Sequence, residues 1–348
     1  QNGHPGDELR NGKPWDTHML APVGRGVPFD MFHAYFIAFL FKVLSFFNQN
    51  LNLLSVAFYT PVIISALSVI PTFFITRKVT GNFGAFIAAL IIAIHPSFLN
   101  RTVGGFADTD AYNIMFPLFI AWIFLEALES KTTKKNIVLS VLAGLLVGLY
   151  SMTWGGWWYI FDFILISTVL YIAYYIFVHR KELMGKITNF TKQKAVKNSL
   201  TFLMIFFIVA GISVSFFVSY GQFKKFYTNP TGFAKLKEVG ITKIWPNVFT
   251  TVAEQNPASL DNVINQVGLG KFYFFLISLM GIALTLATNK GRKRLWFVGG
   301  TLAWYLLILI LKIQDLNTFL ILIIIPIAIR IIIALWESDK DIEIKYAI

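Results

Sequence analysis

The chain has no cysteine among its 348 residues, so disulfides and thiolate-bound metals are excluded. Charge is scarce as well: Asp, Glu, Lys and Arg make up 14% of the residues, against about 25% in an ordinary soluble domain. Acids are the rarer sign, 18 against 30 Lys and Arg. There is no Walker loop, no Gly-x-Ser-x-Gly elbow and no dinucleotide fingerprint. The five His (His4, His18, His33, His95, His179) lack zincin or finger spacing, and none reads as a metal ligand. Neither a Met nor a basic-then-apolar leader stands at Gln1, so the sequence reads as part of a longer chain.

What is present is hydrocarbon. Hydrophobic residues make up 56% of the chain, and the mean hydropathy is +0.65. This composition predicts an all-α polytopic membrane protein embedded in a lipid bilayer. Residues 1–30 are polar, with turn signals at Pro5-Gly6, Asn11-Gly12 and Val23-Gly24. The apolar stretch from about Met31 to Phe47 is short for a crossing and reads as an interfacial or re-entrant helix. Spans are expected near 54–76, 83–99, 113–128, 137–152, 157–177 and 201–220, then near 272–288, 295–311 and 316–336. The resulting divisions are a first external loop with its interfacial helix (1–53), a bundle (54–220), a long external loop (221–270), C-terminal spans (271–336) and a tail (337–348).

The net charge of +12 does not point to nucleic acid, because the cations cluster between apolar spans and act as topology signals. Placing Arg77/Lys78, Lys131 to Lys135, the 179–198 loop and Lys290 to Arg294 in the cytoplasm gives one consistent threading. The polar N-terminus, residues 100–112, the Trp154–Trp158 turn and the 221–270 loop then share the outer face. Arg330, deep in the last span, is expected to snorkel toward the cytoplasmic side. Thr153-Trp154-Gly155-Gly156-Trp157-Trp158 reads as an interfacial aromatic belt around a Gly-Gly turn.

Two carboxylates stand out in Asn100-Arg101-Thr102-Val103-Gly104-Gly105-Phe106-Ala107-Asp108-Thr109-Asp110. Ionised groups beside hydrocarbon are costly, so Asp108 and Asp110 should sit at the interface and hold something that compensates them. An Asp-x-Asp pair suits a divalent metal that grips a phosphate. A solvated pair favoured by a helix dipole is the alternative. Glu254, in Thr250-Thr251-Val252-Ala253-Glu254-Gln255-Asn256-Pro257, falls on the same predicted face and could supply a further oxygen.

The ordered set of Asn-Arg-Thr-Val-Gly-Gly-Phe-Ala-Asp-Thr-Asp, Thr-Trp-Gly-Gly and Thr-Val-Ala-Glu-Gln resembles the catalytic subunit of oligosaccharyltransferase, archaeal AglB type. Asn11-Gly12-Lys13-Pro14-Trp15-Asp16 and Ala21-Pro22-Val23-Gly24-Arg25 resemble that family's first external loop. The resemblance implies a GT-C-type helical bundle. It also implies transfer of a glycan from a dolichol-linked (pyro)phosphate donor to Asn in an Asn-x-Ser/Thr sequon of an acceptor polypeptide. Asp108 and Asp110 match the family's second-loop metal ligands, for Mn²⁺ or Mg²⁺, and Glu254 matches the residue that holds the acceptor amide. Lys312 stands where the family carries a donor-phosphate Arg. The family's further catalytic Asp and its sequon-reading Trp-Trp-Asp domain are not in these 348 residues, so the chain alone is expected to be inactive. Another membrane glycosyltransferase of the same architecture, or a cation-coupled transporter, are the rival readings.

Overall fold

The computed structural model describes residues 6–18, 21–27, 31–179, 193–236, 260–267, 277–283, 292–311, 313 and 315–337. The polar N-terminus contains an element that its turn signals only hinted at. Strands β1 (Glu8–Arg10), β2 (Lys13–Asp16) and β3 (Arg25–Gly26) form an antiparallel sheet in that order. Asn11 and Gly12 join β1 to β2, both with positive φ as a type I′ hairpin requires. Trp15 lies across Gly24, where an added Cβ would meet the indole nitrogen within 2.3 Å, so the turn closes only over glycine.

Helix α1 (Phe32–Phe47) follows, and then α2 (Leu53–Ile94), 42 residues in two helical segments. Gly81 breaks it, with φ 74° and ψ −172°, a conformation essentially reserved for glycine. The break separates two helical segments, in line with the two spans expected near 54–76 and 83–99. The second part stops at Ile94 instead of Leu99, because Pro96 disfavours a helical His95; a short turn, α3 (Pro96–Leu99), comes next.

Beyond it lie α4 (Tyr112–Leu128), α5 (Thr133–Ser151), α6 (Trp158–Val178) and α7 (Lys194–Phe217). Helix α7 begins earlier than the apolar run from 201 suggested. The polar stretch after it is partly helical, with α8 (Tyr220–Phe223), α9 (Lys225–Leu236) and α10 (Leu260–Val267). A helical segment over 277–283, α11 (Arg292–Ile310) and α12 (Leu316–Glu337) complete the described elements. Helices α2, α5, α6 and α7 are long and apolar enough to cross a membrane. The chain is a helical, multi-pass membrane protein.

Two compact units emerge. The first contains residues 1–94, 98–164 and 198–227. Within it, glycines of α5 lie against α7. A Cβ at Gly144 would meet Val209 Cβ at 2.8 Å, and one at Gly148 would meet Ser213 Cβ at 2.4 Å. Gly144 and Gly148 are a small-xxx-small pair that lets α5 and α7 approach closely. The Trp154–Trp158 turn is not simply an interfacial belt: Trp157 is fully buried against Phe161 and Phe223, and Trp154 keeps 43% of its surface exposed.

Helix α4 links two polar clusters. At its C-terminal end Lys78 Nζ pairs with Glu126 at 2.6 Å and Glu129 at 2.8 Å. The buried Asn136 donates Nδ2 to the carbonyls of Ala127 and Asn198, at 2.8 and 3.2 Å. Asn198 donates in turn to the carbonyls of Leu128 and Ser130, each at 3.0 Å. The carbonyls of Ala127, Leu128 and Ser130 stand at the C-terminal end of α4, where a helix leaves its carbonyls open.

The second unit is built around α11 and α12, with a core of Leu279, Ala283, Tyr305, Ile308 and Phe319. Pro326 lacks the N–H that would bond to the Leu322 carbonyl within α12. Trp304 Nε1 on α11 donates to that carbonyl at 2.9 Å, and the Tyr305 hydroxyl donates to Ile323 O at 3.3 Å. Arg330 does not snorkel: it is 2% exposed, held on the interior side of α12.

Gly148→Ala is expected to lower the thermal midpoint in detergent, because its Cβ overpacks the α5–α7 contact by roughly 1–3 kcal/mol. Gly281→Ala, whose Cβ meets nothing within 4 Å, should hold or raise it through helix propensity.

Candidate functional site

The end of α4 opposite the Lys78 cluster carries the Asp-x-Asp loop. That loop is shaped by Phe58 on α2. Gly104 and Gly105 lie so close to its ring that an added Cβ would sit 2.5 and 2.9 Å from ring carbons. Gly105 also has φ +91°, and its N–H donates to the Phe58 carbonyl at 2.9 Å. Both glycines are therefore required sterically, and Gly105 conformationally as well. Thr102, 2% exposed, anchors the start of the loop by donating its hydroxyl to Phe98 O at 2.9 Å.

Asp108 and Asp110 stand just before the first turn of α4, where the positive end of the helix dipole favours anions. Asp108 Oδ1 accepts from the Thr109 amide at 2.6 Å. Asp110 Oδ2 pairs with Arg101 at 3.3 Å; both side chains are more than a third exposed, so this bridge contributes roughly 0–1 kcal/mol. Asp108 Oδ2 and Asp110 Oδ1 make no hydrogen bond among the described residues. Each carboxylate thus keeps one hard oxygen donor available, the ligand type that Mg²⁺ and Mn²⁺ take.

Three further elements gather around the first turn of α4, which follows this loop. His33, at the start of α1, places Nδ1 3.1 Å from the Tyr112 hydroxyl. Burial lowers the pKa of His33 below the usual imidazole value, although Asp108 and the Ala107 carbonyl favour its charged form. Its Nε2 is buried and makes no hydrogen bond among the described residues. The Tyr150 hydroxyl at the end of α5 donates to Asn113 Oδ1 at 3.2 Å. Trp154 packs against Tyr150 and Tyr159, with ring centroids 6.3 and 6.0 Å away. A Cβ at Gly156 would strike the Trp154 ring at 2.2 Å, so Gly156 permits that fold of the turn, whereas Gly155 faces open space. The Phe32 amide bonds to Met152 O at 3.3 Å and ties α1 to the same corner.

His33 is the residue that sequence reasoning missed. Its signal is weak, a single His opening an apolar helix, and its position depends on α1 folding back onto α4. Glu254 and Lys312 lie outside the described residues. Among the described residues, the three potential metal ligands that converge are Asp7, Asp16 and His18, with ligand atoms within 4.8 Å of one another. Asp7 is already held by the Thr17 hydroxyl and amide, which lower its pKa.

Gly105→Ala is expected to displace the Asp-x-Asp loop, through both its Cβ clash and a backbone strain on the order of 1–3 kcal/mol. Proteolysis within 100–111 should quicken, while the same substitution at Gly155 should leave it unchanged.

The sequence matches the family described as Oligosaccharyl transferase STT3, N-terminal, over residues 1–346. It is 30% identical over 306 residues to the dolichyl-phosphooligosaccharide-protein glycotransferase of Methanococcus voltae, covering 82% of this chain and 33% of that protein. Identity to the protein of the same name from Methanocaldococcus jannaschii is 26% over 383 residues, covering 84% of this chain and 39% of that one. The chain therefore spans little more than a third of the length of these relatives. A crystal structure of the Archaeoglobus fulgidus oligosaccharyltransferase, in complex with Zn and sulfate, is similar with a TM-score of 0.48 and 18% identity. That likeness covers 96% of this chain and 45% of the other. With the family match running through nearly every residue, the chain belongs to the STT3 oligosaccharyl transferase family.

Proposed function

We propose that this chain supplies part of the active site of an enzyme that transfers a glycan from a dolichol-linked (pyro)phosphate donor to the Asn of an Asn-x-Ser/Thr sequon. The observation that carries the reading is the pair of carboxylates, each with one uncommitted oxygen, held before α4 by a loop pressed on Phe58. Family membership supports the reaction class. The loop is assigned to the extracytoplasmic face, because the cationic Lys78 and Lys135 lie toward the other end of α4.

The chemical difficulty is the acceptor amide, whose nitrogen lone pair is delocalised into its carbonyl. Carboxylates that accept hydrogen bonds from this NH₂ group favour a conformation in which the lone pair is more available. Glu254 is assigned to that work, beside the catalytic pair Asp108 and Asp110. The donor set of Asp108 Oδ2 and Asp110 Oδ1 fits Mn²⁺ or Mg²⁺. Such an ion, when bound, supplies positive charge beside the departing phosphate. The cation Lys312 is assigned to the donor phosphate. Arg101 pairs with the other oxygen of Asp110, Oδ2, at 3.3 Å.

In the complete enzyme, Asp108→Ala and Glu254→Gln should each lower glycosylation of a sequon peptide by roughly 10²- to 10³-fold, the scale for losing one preorganised electrostatic contact. Chelation should abolish transfer, and Mn²⁺ or Mg²⁺ should restore it. Unchanged transfer and unchanged metal response in Asp108→Ala would remove this site assignment.

A further inference from the structure

The first turn of α4 is held from one side by α5, and that contact bears on the acidic loop. Tyr150, near the end of α5, is fully buried. Its ring stacks on Phe116 of α4, with centroids 5.5 Å apart. Trp154 and Tyr159 lie against the same ring, at 6.3 and 6.4 Å. A phenol buried in this way needs a partner for its hydroxyl, because leaving it unpaired is costly. The partner is the side chain of Asn113, three residues before Phe116 and on the same face of α4. Tyr150 donates to Asn113 Oδ1 at 3.2 Å.

Asn113 is bonded in turn to Asp110, for its amide donates to the Asp110 carbonyl at 3.1 Å. The neighbouring amide of Tyr112 donates to the Thr109 carbonyl at 3.0 Å. The Thr109 amide donates to Asp108 Oδ1 at 2.6 Å. Asp108, Thr109 and Asp110 belong to no helix or strand, so these bonds relate their backbone to α4. Tyr150 is thus two hydrogen bonds from Asp110: hydroxyl to carboxamide, then amide to carbonyl. Helix α5 itself packs on α7 through Gly144 and Gly148, so Tyr150 is presented from a firmly seated helix.

A tyrosine that only filled space could place its hydroxyl on a backbone carbonyl, as Tyr305 does on Ile323 O at 3.3 Å. Tyr150 instead bonds a side chain at the third position after Asp110. Metal-ligand oxygens must stand within about 0.2 Å of their ideal distances. Residues behind the ligands contribute to affinity by orienting them. Without the Tyr150 bond the Asn113 side chain loses its tether, and the first turn of α4 is left to fray as helix ends do.

We propose that Asn113 and Tyr150 are positioning residues of the glycan-transfer site, a hydrogen-bonded pair that fixes Asp110 relative to Asp108 for cation binding. The proposal rests on the reading of Asp108 and Asp110 as ligands of a divalent metal. Neither residue touches the reacting groups. Their effect is on cation affinity, and through it on transfer.

Binding of Mn²⁺ to the complete enzyme, followed by electron paramagnetic resonance, tests this, with sequon-peptide glycosylation measured alongside. Tyr150→Phe keeps the ring and loses the hydroxyl. It should weaken Mn²⁺ binding roughly three- to tenfold, the scale of one lost hydrogen bond. Saturating Mn²⁺ should restore most of kcat, with the peptide KM unchanged. Asn113→Leu should behave alike, and the double variant should be no weaker than the single ones, because both remove the same bond. Tyr305→Phe loses a comparable bond in the second unit and should bind Mn²⁺ as the unaltered enzyme does. An equal loss in Tyr305→Phe would mean general destabilisation and would overturn the proposal, as would additive losses in the double variant. If Asp108→Ala loses Mn²⁺ binding while Tyr150→Phe keeps it in full, this proposal alone fails. If Asp108→Ala binds Mn²⁺ unchanged, the metal reading fails and this proposal fails with it.

Discussion

Inside a bilayer no hydrophobic force presses one helix against another, because lipid tails are as apolar as leucine. Close packing and satisfied backbone polar groups must hold the bundle instead. The contact of Gly144 and Gly148 with Val209 and Ser213 meets that requirement in the first unit. It brings α5 against α7, and α5 in turn presents Tyr150 and the Trp154 turn beside the start of α4. The acidic loop depends on this frame, since Asp108 and Asp110 have no regular secondary structure of their own.

Polar groups in this protein repeatedly serve backbone atoms that helix geometry leaves open. Asn136 and Asn198 bind carbonyls at the end of α4, and Trp304 and Tyr305 bind carbonyls around Pro326. Lys78 joins the first of these clusters through Glu126 and Glu129. Buried amides and indoles are costly in hydrocarbon unless paired, so such bonds select one arrangement over alternatives. Asp108 and Asp110 depart from the pattern. Each leaves an oxygen uncommitted, just before the first turn of α4.

Several features were legible from local chemistry. Asn11-Gly12 marked a turn, and two carboxylates beside apolar spans marked a candidate site because their desolvation is costly. The turn glycines Gly104 and Gly105 pointed to a tight loop, but Phe58, the surface that makes them necessary, lies more than forty positions earlier. Trp157 and Arg330 were read from their flanks as interfacial and snorkelling, and both are buried. Amphipathic side chains take whichever environment their neighbours provide, and those neighbours come from other helices. His33 was passed over for the same reason: its Tyr112 and Asp108 surroundings exist only once α1 has folded back.

The amino-acid order by itself determined the membrane class, the positions of most helices, their charged ends and the identity of the acidic pair, because each follows from hydropathy, turn chemistry or desolvation over a few residues. Tertiary structure alone decided which oxygens of Asp108 and Asp110 are uncommitted, that His33 adjoins them, that the glycines of α5 face α7, and that α11 and α12 line an open groove at Pro326. Those properties depend on distances between residues far apart in the chain, and packing sets such distances, not periodicity.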